Sequence, residues 1–177
     1  MKRFPWLPLG AAVLALAACG GDDGEAPLPQ LGAAKASALQ TCTTLSGFGF
    51  ANTTITAASV VASGTLTNAG APVGEHCLVT GRMNTRTSTV DGQTYAIGFE
   101  MRLPKDWSGR YLYQGNGGTD GVVSQASGGF SGGGPLQNAL QQGFAVISSD
   151  AGHSAAQNPL FGLDPQARLD YGYMAVG

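Results

Sequence analysis

Glycine is the residue type that first suggests chemistry in this chain. The stretch Arg110-Tyr-Leu-Tyr-Gln-Gly-Asn-Gly-Gly-Thr-Asp-Gly121 places Gly115, Gly117, Gly118 and Gly121 directly after a short aromatic and aliphatic run. That run, residues 111–113, reads as a buried strand. Glycines at its end let the backbone turn tightly and come close to a ligand, because no Cβ stands in the way. Backbone N–H groups presented from such a turn can hold the negative charge that develops on an oxyanion. An ordinary surface turn uses the same residues, so the loop by itself leaves both readings open.

The other reactive side chains follow it. Gly129-Phe130-Ser131-Gly132-Gly133 has the form G-x-S-x-G, and Asp150 and His153 come after it in the order Ser, Asp, His. A nucleophile elbow needs an apolar strand immediately before its serine, and residues 121–128 are instead rich in Gly and Ser. Acid and base would also share one short loop, where separate strand ends normally supply them. A local triad on Ser131 is therefore rejected. Gly115-x-Gly117 is no dinucleotide fingerprint either, because Asp120 stands where the third glycine belongs. Asp150 and His153 follow an apolar run, and strand carboxyl ends are where α/β sheets place ligands. His153 can line a pocket or titrate near neutrality; equally, the two side chains can simply fix their loop. Two histidines and scattered carboxylates make no metal-ligand cluster.

The elements that must position these residues are legible in outline. Residues 36–45 can hold a short helical turn. Residues 53–64 are β-branched and extended, and residues 70–74 form a turn. Residues 77–87 and 94–103 read as strands, the second with strict alternation of Tyr95, Ile97, Phe99, Met101 and Leu103. Asp91-Gly92 between them is a hairpin signal. After the glycine loop, Pro135 opens a helix through Gln142, which Gly143 ends. Residues 144–148 are continuously apolar, as a strand covered on both faces reads. Strand, loop, helix, strand over residues 111–148 is a βαβ unit, which implies a parallel pair. The class is α/β, an antiparallel hairpin opening the sheet and a βαβ unit following it.

Composition narrows the partners. The chain has 177 residues, 28 of them glycine, with only 11% charged and a net charge of −2. It carries no basic patch to neutralise phosphates, which argues against nucleic acid. Its 43% hydrophobic content suits a packed domain. Lys2 and Arg3 precede an apolar run, residues 7–18, which reads as a secretory signal over residues 1–18. The run ends Leu16-Ala17-Ala18-Cys19-Gly20, which resembles a bacterial lipobox, with Cys19 as the lipidated residue and a membrane anchor as the consequence. An ordinary cleaved signal with an incidental Cys19 is the alternative. Residues 19–37 are then a polar, Pro-containing tether, and residues 38–177 the domain. With Cys19 lipidated, Cys42 and Cys77 remain, and outside the cytoplasm that pair is expected to be oxidised rather than left as two free buried thiols.

Three ordered blocks resemble one family. They are residues 106–121, residues 143–153 (Gly-Phe-Ala-Val-Ile-Ser-Ser-Asp-Ala-Gly-His) and residues 161–173 (Phe-Gly-Leu-Asp-Pro-Gln-Ala-Arg-Leu-Asp-Tyr-Gly-Tyr). Together they resemble the tannase/feruloyl esterase family, and its bacterial lipoprotein branch in particular, over residues 42–177. The resemblance implies an α/β-hydrolase fold, of which this chain would be the amino-terminal part, and hydrolysis of esters of aromatic acids: tannin, feruloyl or terephthalate type. By position Gly118 matches the family glycine whose N–H forms part of the oxyanion hole, with Gly117 and Thr119 flanking it on the substrate side. Cys42 and Cys77 match a structural pair, and His153 matches a Gly-His motif beside the site.

The family's nucleophile lies in a Gly-Cys-Ser-x-Gly-Gly motif. That motif, the acid, the base and a lid that often binds calcium are all expected beyond Gly177. The 177-residue chain alone is accordingly expected to be inactive, with no cofactor in this segment. A non-catalytic surface lipoprotein that binds a ligand through the glycine loop is the alternative function.

Overall fold

A computed structural model of the chain describes residues 32–129 and 138–174. Nine strands are present among them: β1 (Ser37–Ala38), β2 (Thr53–Val61), β3 (Thr67–Asn68), β4 (Ala71–Pro72), β5 (His76–Thr87), β6 (Thr94–Pro104), β7 (Asp106–Trp107), β8 (Tyr111–Gln114) and β9 (Ala145–Ser149). Five of them form a mixed sheet in the order β2-β5-β6-β9-β8. β2, β5, β6 and β9 are joined antiparallel in turn, and β8 runs parallel to β9. β1 pairs with β7, and β3 with β4, as short separate ribbons.

The long hairpin β5–β6 forms where Asp91-Gly92 foretells it. Gly92 takes a positive φ of 73°. The Ser88 hydroxyl accepts from the N–H groups of Val90 and Asp91, and the Asp91 carboxylate accepts from the N–H of Gln93. The turn expected at residues 70–74 sits slightly earlier, between β3 and β4, where Ala69 and Gly70 both have positive φ. That is the conformation a two-residue hairpin loop demands.

Strand periodicity sorts the two sheet faces. Leu112 is opposite Val146, and both pack on one face with Val73, Ala126, Ala139 and Leu140. Val79, Met101 and Ile147 lie in register on the other face, with Cys77 and Phe99. The Cys42–Cys77 disulfide, with Cα atoms 5.4 Å apart, pins the 3-10 turn Thr43–Gly47 onto this second face. Beside it lies an apolar groove of about 370 Å³, rimmed by Phe48 and Phe50, which are 58% and 61% exposed.

Two sequence expectations need adjustment. β8 is the outer strand of the sheet among the described residues, and Tyr111 is 57% exposed. Its apolar composition reflects contact on its faces through Leu112, and its outer edge pairs with no strand among the described residues. Of the expected helix from Pro135 to Gln142, residues 135–137 lie outside the described residues, as does Ser131. Its other five residues, 138–142, are not helical: the backbone over residues 139–143 is a run of turns. The leader, Cys19 and most of the tether also lie outside the described residues.

Candidate functional site

β8 and β9 are parallel neighbours, so their carboxyl ends emerge side by side. The glycine loop leaves β8 there and residues 150–153 leave β9. Hydrogen bonds stitch the two together: the Gly121 N–H donates to the Asp150 carbonyl at 3.1 Å, and the Ala155 N–H to the Gly121 carbonyl at 2.8 Å. Gly121 has φ of 98°, and a Cβ there would lie 2.8 Å from the Ala155 nitrogen. The backbones approach too closely for any other residue.

Asn116 anchors the start of the loop. Its side-chain amide donates to the Ser149 carbonyl at 2.7 Å and more weakly to Ser148 Oγ and the Val122 carbonyl. Between these anchors the chain turns through Gly117, Gly118 and Thr119, all exposed. Gly118 has φ of 67° with nothing within 4 Å of a Cβ position, so its conformation, not crowding, selects glycine.

Two consecutive peptides define what the loop can do. The Gly117 carbonyl accepts from the Asp120 N–H at 3.3 Å. The Gly118 carbonyl accepts from the Tyr171 hydroxyl at 3.2 Å. In a trans peptide the N–H points opposite to its carbonyl. With both carbonyls held inward, the N–H groups of Gly118 and Thr119 are turned away from those contacts, and neither has a partner among the described residues. Free N–H groups on successive residues of a turn make a concavity suited to an anion.

Asp150 and His153 are not an acid–base pair on the open side. Asp150 Oδ1 accepts from the N–H groups of Gly98 and Gly152, each at 2.9 Å, and burial pushes its carboxyl above the usual range. It fixes its loop. His153 is 1% exposed and stacks on Phe161, ring centroids 3.7 Å apart. Its Nε2–H donates to Asn158 Oδ1 at 3.1 Å, because the Asn158 amide nitrogen is committed to the Asp120 carbonyl at 3.2 Å. His153 Nδ1 is buried without a partner among the described residues. The histidine expected beside the site thus stands behind the loop as one of its supports. Burial also raises the Asp120 carboxyl.

A second cluster secures the segment that carries these supports. Asp164 caps the helix α1 (Pro165–Leu169), accepting from the Ala167 N–H, and also accepts from Ser88 Oγ, both at 2.6 Å. Arg86 bridges Asp164 at 3.1 Å and Asp170 at 2.7 Å. Tyr95, Phe161 and Ala167 pack beneath them.

Sequence reasoning singled out Gly117, Gly118, Thr119, Asp150 and His153, and the structure brings all five to one end of the sheet. It missed Asn116, Asn158 and Tyr171. The Asn116 signal was an amide side chain set among glycines; Tyr171 lies 53 residues from its partner and gave none. Among the described residues no three of His, Cys, Asp and Glu are grouped as metal ligands.

Residues 77–177 match the family model described as tannase and feruloyl esterase. The chain is 44% identical over 115 residues to a mono(2-hydroxyethyl) terephthalate hydrolase of Piscinibacter sakaiensis, covering 60% of this chain and 19% of that protein. It is 35% identical over 77 residues to a probable feruloyl esterase B-1 of Aspergillus fumigatus, covering 44% of this chain and 13% of that protein. The chain thus spans about a fifth or less of the length of these relatives. Its fold resembles the crystal structure of feruloyl esterase B from Aspergillus oryzae, with a TM-score of 0.56 at 22% identity, over 75% of this chain and 25% of that one. A second esterase from Aspergillus oryzae also gives 0.56, at 21% identity, over 76% and 26%. With more than half its length matched by the family model, this chain belongs to the tannase and feruloyl esterase family.

Proposed function

We propose that this chain is the amino-terminal part of an exported, lipid-anchored serine ester hydrolase acting on esters of aromatic acids, and that its glycine loop supplies part of the oxyanion hole. The observation that carries this reading is the pair of N–H groups at Gly118 and Thr119, unpartnered among the described residues and turned outward by carbonyls that are each hydrogen-bonded. Family membership supplies the reaction class, and the relatives' names support aromatic esters as substrates. The Lys2-Arg3 start, the apolar run and Cys19 support export and lipid anchoring, and the Cys42–Cys77 disulfide suits an oxidising compartment. The antiparallel hairpin followed by the parallel β8–β9 pair is read as the opening of an α/β-hydrolase sheet.

In the complete enzyme a serine expected beyond Gly177 attacks the ester carbonyl carbon. A histidine takes the serine proton and later gives it to the departing alkoxide. The carbonyl oxygen becomes an oxyanion in between, and the Gly118 N–H stabilises it, with the Thr119 N–H beside it and Gly117 flanking the substrate. One such donor is worth about 3–4 kcal/mol of transition-state stabilisation. Water then releases the acid from the acyl-enzyme. By this reading the 177-residue chain holds the oxyanion loop without the nucleophile and does not turn over.

The test is the reading frame beyond codon 177, expressed and assayed on aromatic esters. A frame reaching Gly-Cys-Ser-x-Gly-Gly, with hydrolysis, is the expected result. A stop codon directly after Gly177 removes the esterase reading and leaves a ligand-binding lipoprotein.

A further inference from the structure

Tyr171 lies in the irregular helical turn Asp170–Met174, far from the glycine loop in sequence. Its hydroxyl nevertheless donates to the Gly118 carbonyl at 3.2 Å. Its ring stands edge-on to His153, centroids 5.8 Å apart, and tilted against Phe161 at 5.3 Å. The three rings form one block, and a second hydrogen-bond arm leaves it. His153 donates to Asn158, and Asn158 donates to the Asp120 carbonyl. The block therefore grips the loop at two carbonyls two residues apart.

We infer that Tyr171 is a positioning residue for the oxyanion loop: by holding the Gly118 carbonyl it sets the plane of the Gly118–Thr119 peptide and aims the Thr119 N–H toward the reacting oxygen. The inference rests on the esterase reading for its chemistry and on the structure for its geometry. The Gly118 carbonyl has no other partner among the described residues. Gly118 itself, at φ of 67° with open space around it, resists rotation of that peptide only weakly. The hydroxyl is therefore what fixes the plane. A peptide rotated away would place its N–H outside the narrow geometry that oxyanion donors require.

Tyr171→Phe removes the hydroxyl and keeps the ring. In the 13C,15N-labelled 177-residue chain, the Thr119 and Gly118 amide resonances are expected to shift and the Thr119 heteronuclear NOE to fall, while the His153 and Phe161 ring signals stay in place. Unmoved Thr119 and Gly118 amides overturn the inference. In the enzyme encoded by the continued frame, with rates counted per titrated nucleophile, kcat on an aromatic ester is expected to fall about ten- to hundredfold with KM within twofold. An unchanged kcat overturns the catalytic half of the inference. Should the unsubstituted continued frame hydrolyse no ester, the esterase reading fails, and the amide resonances alone decide whether Tyr171 holds the loop.

Discussion

Arg86 on β5 reaches across to Asp170, its guanidinium 2.7 Å from a carboxylate that is wholly buried. The next residue is Tyr171, whose hydroxyl meets the glycine loop. A charge pair between the sheet and the helical turn Asp170–Met174 thereby anchors the support of the glycine loop. Arg86→Met would leave the carboxylates of Asp164 and Asp170 buried without their cation. Breaking a buried pair this way costs about 3–5 kcal/mol. The low end is expected, since the Arg86 side chain is 24% exposed. Urea denaturation of the variant against the unsubstituted chain measures it.

Acid should loosen the fold in two stages. His76 is buried, with Nδ1–H donating to the Gly74 carbonyl and Nε2 accepting from Arg102. Burial is the main cause holding its pKa below the usual value. Unfolded histidine, with a pKa of about 6.5, then binds a proton that the folded form refuses. Stability is lost as pH falls from there through the lower folded value. Asp164 is also held below its ordinary value, chiefly by the Ser88 hydroxyl, with help from the Ala167 N–H and Arg86. Its contribution is intact above about pH 4 and is lost as pH falls further. The expected result is a two-step decline in denaturation midpoint, with the upper step absent in His76→Gln.

Two glycines of one loop should respond differently to the same change. Gly118→Ala meets no atom within 4 Å and carries only the cost of a left-handed alanine, about 1 kcal/mol. Gly121→Ala drives a methyl group to 2.8 Å from the Ala155 backbone nitrogen and breaks the stitching between the two loops. Its loss should exceed that of Gly118→Ala by about 1–3 kcal/mol. Parallel thermal melts of the two variants provide the comparison.

The disulfide closes a separation of 35 residues. Replacing Cys42 and Cys77 by serine should cost about 3–4 kcal/mol, mainly by freeing the unfolded chain. A matching drop in the denaturation midpoint of the oxidised chain on reduction checks it independently.

Local features were legible in the sequence; distant pairings were not. The Asp91-Gly92 turn, the alternation through Phe99, Met101 and Leu103, and the apolar run of β9 each follow from rules that act within a few residues, and each formed. The Cys42–Cys77 bridge was reached by counting cysteines in a chain whose start reads as an export signal. The glycine loop was recognised by its composition and by family resemblance. What holds it was not, because the Tyr171–Gly118, Arg86–Asp170 and Ser88–Asp164 contacts join residues 53 to 84 positions apart. No periodicity encodes such contacts. His153 drew notice as a titratable side chain, whereas its stacking on Phe161 gives it the place of a packed support.

Ester hydrolysis by the continued reading frame, measured beside the 177-residue chain on one aromatic ester, decides whether the Gly118 loop serves an esterase. Turnover is expected from the longer protein through a serine beyond Gly177, and none from the 177-residue chain. Turnover by the 177-residue chain that disappears in Ser131→Ala would contradict it, because the loop at Gly118 would then serve a nucleophile of its own.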